Sequence, residues 1–313
     1  MDLYSEIIKQ NPNALSKAIT LAESKLESDQ IVSQNLISKF EKNNNSIRIG
    51  ITGIPGVGKS TFIEKFGQTF LDQKKKVAIL AIDPSSEKSQ GSILGDKSRM
   101  NELSANKNVF IRPSSNSGDL GGVSNKTKDC ILLCEAAGFD IVMIETVGVG
   151  QSETTVSKLV DIMLLLTITG AGDQLQGIKR GIIELAHIII VTKDDGDNKI
   201  KTKEAVLEFK NTTSINAPID DYWIPKVVKC SALENKGVIE INKLTNQFIS
   251  NAKSDNYFGD KRMHQEKFWI HKIIKEEIGN RKFKMLVSEN RLYKIEKEVI
   301  DCKKNIYQII KSL

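Results

Sequence analysis

Ser46-Ile47-Arg48-Ile49-Gly50-Ile51-Thr52-Gly53, running directly into Ile54-Pro55-Gly56-Val57-Gly58-Lys59-Ser60-Thr61, is the stretch that decides the fold. Its first half is an apolar, β-branched run of strand length; its second half sets Gly53 and Gly58 around a short turn and places Lys59 and Ser60 at the start of a helical pattern. Strand, glycine turn and helix in that order make a cradle in which successive backbone N–H groups converge on a phosphate. Glycine is needed because a Cβ at Gly53 or Gly58 would collide with the phosphate or strain the turn. Lys59 would carry a point charge to the β- and γ-oxygens, and the helix start adds partial positive charge. The Ser60 hydroxyl is the expected Mg²⁺ ligand. The predicted nucleotide-binding loop is therefore Gly53, Ile54, Pro55, Gly56, Val57, Gly58, Lys59, Ser60 and Thr61.

Outward from this loop, apolar runs at 46–53, 76–83, 108–113, 139–145, 161–168, 187–193 and 225–231 alternate with segments of helix length. That alternation predicts an α/β fold: a doubly wound, mostly parallel sheet of the P-loop NTPase kind, with helices on both faces. Residues 1–44 show helical periodicity and end in a polar run, so they form an N-terminal helical segment. The nucleotide domain spans 45–254. Residues 255–313 have no strand signal and read as a C-terminal helical hairpin broken near Gly279-Asn280. Its two apolar stripes, Phe268, Trp269, Ile273, Ile274 and Ile278, then Leu292, Ile295, Val299, Ile306 and Ile310, must be covered by the hairpin's own core or by a second copy of the chain.

The other phosphate-side groups should come from strand ends on the side of the loop. Asp83 closes 76–83 and precedes Pro84-Ser85-Ser86; Asp96 lies in the polar stretch GSILGDKSRM; Glu145 closes 139–145 and begins Glu145-Thr146-Val147-Gly148. Carboxylates in such places hold a magnesium water shell, and a following glycine lets a backbone N–H approach the γ-phosphate. Ser60, Asp83, Asp96 and Glu145 form the expected metal set, and Lys59, Asp96 and Glu145 the expected catalytic set. For the base, Thr192-Lys193-Asp194-Asp195 follows the run HIIIV and resembles the guanine-reading sequence Asn-Lys-x-Asp. A carboxylate at Asp195 would accept from guanine N1–H and N2–H₂, whereas adenine would leave it unpaired at a cost of about 1.5–3 kcal/mol. Lys193 would lie along the base and ribose, and Ser231, Ala232 and Leu233 match the Ser-Ala loop whose backbone meets guanine O6. Thr192 stands where an amide would make two bonds, which predicts a lower affinity.

Composition narrows the class. The chain has 313 residues, 40% hydrophobic and 27% charged, and no apolar run long enough for a membrane span, so a cytoplasmic protein is expected. Four cysteines, Cys130, Cys134, Cys230 and Cys302, are too scattered for a disulfide framework and are expected as reduced thiols. The net charge of +6 sits in residues 253–313, which hold 15 Lys and Arg against 9 Asp and Glu. Those charges alternate in sign, as on a solvated helix face rather than a nucleic-acid-binding surface.

The strings GSILGDKSRM, FIRPSSNSGDLGGVSNKT, CEAAGFDIVMIETVGVGQSE and GAGDQLQGIKRG resemble the MeaB/ArgK family of metallochaperone-like GTPases, which includes the methylmalonic aciduria type A protein. The likeness runs from about residue 15 to 280. It implies a homodimeric, GTP- and Mg²⁺-dependent chaperone of adenosylcobalamin-dependent acyl-CoA mutases such as methylmalonyl-CoA mutase, gating cofactor delivery and protecting the mutase. It maps the family's magnesium and switch acids onto Asp83, Asp96 and Glu145, its base contacts onto Lys193, Asp195 and Ser231 to Leu233, and a third switch onto residues 170–181. Gln174 and Thr192 depart from the family's usual Glu and Asn.

Val149 follows Gly148 where Ras-like enzymes carry a water-orienting Gln, and no arginine finger is evident. Intrinsic turnover should be slow, on the order of 10⁻⁴ to 10⁻² s⁻¹, with acceleration by a partner. Two rival readings are an ATPase or kinase serving a lysine, arginine and ornithine transport system, and a nickel-inserting metallochaperone GTPase. Asp195 argues against the first. The second predicts Cys or His near the loop or the N-terminus, and residues 1–52 contain neither.

Overall fold

The computed structural model describes residues 2–40, 45–83, 100–115, 125–146, 152–169, 180–215, 222–301, 304, 306–310 and 313. Each apolar run named above forms a strand: β1 (Ile47–Gly53), β2 (Val77–Asp83), β3 (Val109–Ser115), β4 (Ile141–Thr146), β5 (Ile162–Thr167), β6 (Ile188–Val191) and β7 (Lys226–Lys229). They pair in parallel in the order β3-β2-β4-β1-β5-β6-β7. All of β4, β5 and β6 is buried, as expected of strands covered on both faces. The edge strand β7 reads Lys-Val-Val-Lys and exposes both lysines, which discourages pairing with a further strand.

Three helices precede the sheet, α1 (Leu3–Ile8), α2 (Pro12–Glu23) and α3 (Glu27–Ile37). Helices α4 (Lys59–Asp72), α5 (Asn101–Ser104), α6 (Asn125–Ala136), α7 (Ser152–Ser157), α8 (Arg180–Leu185), α9 (Lys199–Ile215) and α10 (Val238–Ser254) alternate with the strands, and α11 (Tyr257–Ser288), α12 (Arg291–Ile300) and α13 (Ile306–Ile310) end the chain.

These elements divide into two compact units. The sheet unit holds 45–124 and 138–255. Its helix α4 turns Phe62, Phe66 and Phe70 to one face at helical spacing, and all three are fully buried, each contributing roughly 1.5–3 kcal/mol. On another side α4 meets α10 through Asn242, whose amide donates to Thr69 Oγ1 at 2.9 Å and whose Oδ1 accepts from Gln73 at 2.8 Å.

The helical unit gathers 1–44, 125–137 and 256–313. Helix α6 is thus threaded between β3 and β4 in sequence, yet its packing partners include α2 and α3. Helix α11 breaks at Gly279, which adopts φ 76 and ψ 161, and the chain turns again at Asn290 with φ 54. The residues on either side of these two turns meet: Ile270, Ile273 and Ile274 form one buried cluster with Leu292, Ile295, Val299, Ile306 and Ile309. Ile273, Ile274 and Ile278 of the first stripe and the whole of the second thus pack in the hairpin's own core, while Phe268, Met285, Val287 and Tyr293 remain exposed.

Candidate nucleotide site

The site is laid out by β1 and its neighbours, because β1 lies between β4 and β5 where the winding of the sheet reverses direction. Register sets Ile51 beside Glu145 and Gly53 beside Leu166. The second pairing explains Gly53: a Cβ there would sit 2.4 Å from the Leu166 carbonyl oxygen. The glycine is thus required by the adjacent strand, in addition to the phosphate expected from sequence. At the far side of the loop, Gly58 takes φ 94 as it leads into α4, a conformation that disfavours a side chain. No side chain caps α4 among the described residues, so its first-turn N–H groups face the loop without a built-in acceptor.

Lys59 is buried and folds back on the loop, its Nζ donating to the carbonyls of Gly53 at 2.8 Å and Ile54 at 3.3 Å. Burial lowers its pKa, and the carboxylates of Glu145 and then Glu153 oppose that fall. Glu145 is buried at the end of β4 as the sequence placed it. Asp83 closes β2 through its backbone, with its side chain outside the described residues, as is the whole of Asp96. Gly148, Val149 and Gln174 also lie outside them. Glu153 was not singled out by sequence. It is completely buried in the first turn of α7, a helix that packs against β1 and β4. An acid following a glycine-rich segment gives no sign of burial; only the packing of α7 does.

The base-reading segments come together at the ends of β6 and β7. The Ser231 hydroxyl donates to Asp195 Oδ2 at 2.5 Å and accepts from the Glu234 N–H at 3.1 Å, fixing the half-buried carboxylate. Ser231 is itself fully buried and exchanges two backbone bonds with Lys236, closing the turn through Ala232 and Leu233. Leu233 is 81% exposed. Lys193 is exposed with φ 60, and Asp194 turns inward to pair with Lys229 at 2.7 Å. Beside them, burial and the two neighbouring aspartates push the Cys230 thiol up to about 12, so it stays protonated. Cys130, Cys134 and Cys230 are in no disulfide, as expected, and Cys302 lies outside the described residues.

Thr192 joins the two ends of the site. Its hydroxyl lies 2.8 Å from the Val57 carbonyl in the phosphate loop and 3.0 Å from the Thr167 carbonyl of β5. A hydroxyl holds one proton, so the two acceptors share it. The residue in the Asn position therefore links the turn after β6 to the loop after β1.

A parallel sheet with a glycine cradle, a folded-back lysine and a buried strand-end acid at its reversal point defines a P-loop nucleoside triphosphatase. The model of the family described as "Methylmalonyl Co-A mutase-associated GTPase MeaB" matches residues 15–286, and the chain belongs to this family. It is 44% identical over 270 residues to GTPase ArgK of Escherichia coli, covering 86% of this chain and 82% of that protein. It is 41% identical over 287 residues to the mitochondrial methylmalonic aciduria type A homolog of Mus musculus, covering 88% and 69% of the two chains. A crystal structure described as LAO/AO transport system kinase superposes with a TM-score of 0.76 at 32% identity, covering 99% of this chain and 96% of its own.

Proposed function

We propose that this GTPase binds GTP with Mg²⁺, hydrolyses it slowly by itself, and acts as a chaperone of an adenosylcobalamin-dependent acyl-CoA mutase of the methylmalonyl-CoA kind. The observation that carries the nucleotide part is the joint construction of its two ends: Ser231 holds the Asp195 carboxylate while Thr192 reaches Val57 in the phosphate loop. The mutase follows from the description of the family to which the chain belongs. No helix among the described residues is long and apolar enough to cross a membrane.

The chain's own residues divide the work. Amides of the 53–60 loop wrap the β-phosphate, and Lys59 leaves the Gly53 and Ile54 carbonyls to meet the β- and γ-oxygens. Asp195 accepts the two guanine donors, Lys193 covers the base, and the turn of Ser231, Ala232 and Leu233 presents backbone to O6. Ser60 and Glu145 are hard oxygen donors placed at the α4 start and the β4 end, which suits a small divalent cation, and Asp83 and Asp96 complete the set. When bound, Mg²⁺ supplies neutralisation of charge developing on the transferred phosphoryl group. Water attack needs no covalent enzyme intermediate.

A dimer built by the helical unit is part of this proposal, supported by the exposed Met285, Val287 and Tyr293. The test is co-purification with candidate cobalamin mutases in the presence of GDP, GTP and a non-hydrolysable GTP analogue. A complex whose stability depends on the nucleotide is expected. Absence of any nucleotide-dependent complex, together with phosphorylation of a transport binding protein from ATP, would favour the kinase reading carried by the structural relative.

A further inference from the structure

Glu153 has no part in the metal or base sets, yet among the described residues of the sheet unit it is the most deeply buried acid, with no exposed surface. It stands in the first turn of α7, which packs against β1 and β4, the strand that leads into the phosphate loop and the strand that ends in Glu145. Burying a carboxylate is costly unless a cation lies within electrostatic reach. Lys59 is such a cation: the Glu145 carboxylate and then that of Glu153 favour its charged form, and its ammonium is drawn away from solvent onto the Gly53 and Ile54 carbonyls.

We propose that Glu153 is a positioning residue for Lys59, a counter-charge that favours the ammonium folded back on the loop until a polyphosphate takes it. This inference rests on the nucleotide reading above and adds a regulator to the same site. The carboxylate stabilises the charged Lys59 in the empty loop and repels each phosphate that enters. Both effects oppose binding, and the repulsion grows with the negative charge of the nucleotide. When phosphate oxygens draw the ammonium forward, Glu153 loses part of its compensation, so occupancy of the loop is felt at the start of α7.

The experiment is calorimetric titration of the intact chain with GMP, GDP and GTP, each with Mg²⁺, for wild type, E153Q and E153D. Glu153→Gln keeps the shape and removes the charge. It is expected to leave GMP within about twofold and to tighten GDP and then GTP progressively, reaching about tenfold for GTP, the equivalent of one pKa unit. Glu153→Asp withdraws the charge by one methylene and should tighten GTP less, in the same order of nucleotides. E153D also decides the matter should E153Q not fold. A purely structural role would weaken all three nucleotides alike, and that result, or unchanged affinities across the series, overturns the proposal. Failure of the wild type to bind any guanine nucleotide would instead sink the underlying functional reading.

Discussion

In the sheet unit, Lys59, Glu145 and Glu153 are buried, and the lysine donates to the loop's own carbonyls at Gly53 and Ile54. In the helical unit, buried ionisable groups meet partners on other helices: Lys128 pairs with Glu266 at 3.3 Å, Arg262 approaches Glu135 at 3.8 Å, and the Tyr307 hydroxyl donates to Asp129 at 3.2 Å. The same feature, charge removed from water, thus has two meanings. Where acids and a lysine gather beside a helix start that carries no side-chain cap, the arrangement suits an anionic ligand; where an ionisable group faces a partner on a neighbouring helix, it specifies packing.

Substitutions in the two units should separate these meanings. The largest effect is expected from Lys59→Ala, which removes the charge that meets the β- and γ-phosphates; kcat/KM for GTP should fall by at least about 100-fold, as read by phosphate release. Next, Asp195→Ala deletes the guanine acceptor and should weaken GTP by about 1.5–3 kcal/mol while leaving ATP binding nearly unchanged, measured by competition with a fluorescent nucleotide. In the helical unit, Glu266→Ala should do the reverse. It leaves Lys128 buried without its partner, so chemical denaturation should show a loss of about 2 kcal/mol, with intrinsic GTP turnover within twofold of wild type. Equal damage to turnover from Glu266→Ala and Lys59→Ala would break the distinction.

The smallest effect is a dependence on pH. Burial raises the Asp129 carboxyl from 3.8 to about 7, against the opposing influence of Lys128 and the Tyr307 hydroxyl, with Glu266 adding to the rise. The folded chain then holds a proton that the unfolded chain releases, so this group's contribution to stability is full below about 4 and declines as pH rises toward 7. Asp129→Asn lacks the effect. Melting temperatures at pH 5, 6 and 7.5 should therefore show the wild type losing ground to the variant across that range, with little further change above it. A gap independent of pH would mean that Asp129 is ionised throughout.

Much of the sheet was legible because both-face burial writes each central strand as a continuous apolar run, and the glycine-lysine loop marks β1 and α4 at once. The meeting of Asp195 and Ser231 was legible as residue types, since both stand after apolar runs that form strands. What sequence could not give were facts of packing. Gly53 is needed partly for the carbonyl of Leu166, more than a hundred residues away in the chain, and only register brings them together. Thr192 read as a weakened Asn, yet its hydroxyl reaches two carbonyls that are distant in sequence. The burial of Glu153 depends on how a short helix settles on β1 and β4. Helix α6 read as an ordinary crossover between strands, but its buried Lys128, Asp129 and Glu135 belong to the helical unit, where their partners lie in α11 and α13.

The central claim is that a cradle of backbone amides and a distant carboxylate select GTP together. Calorimetric titration of the folded, intact chain with GTP, GDP and ATP in the presence of Mg²⁺ tests it most directly. Saturable binding of both guanine nucleotides, about 10- to 150-fold tighter than ATP, is the result expected from the 1.5–3 kcal/mol of the Asp195 contact. No measurable heat with either guanine nucleotide, or ATP binding as tightly as GTP, would contradict the account.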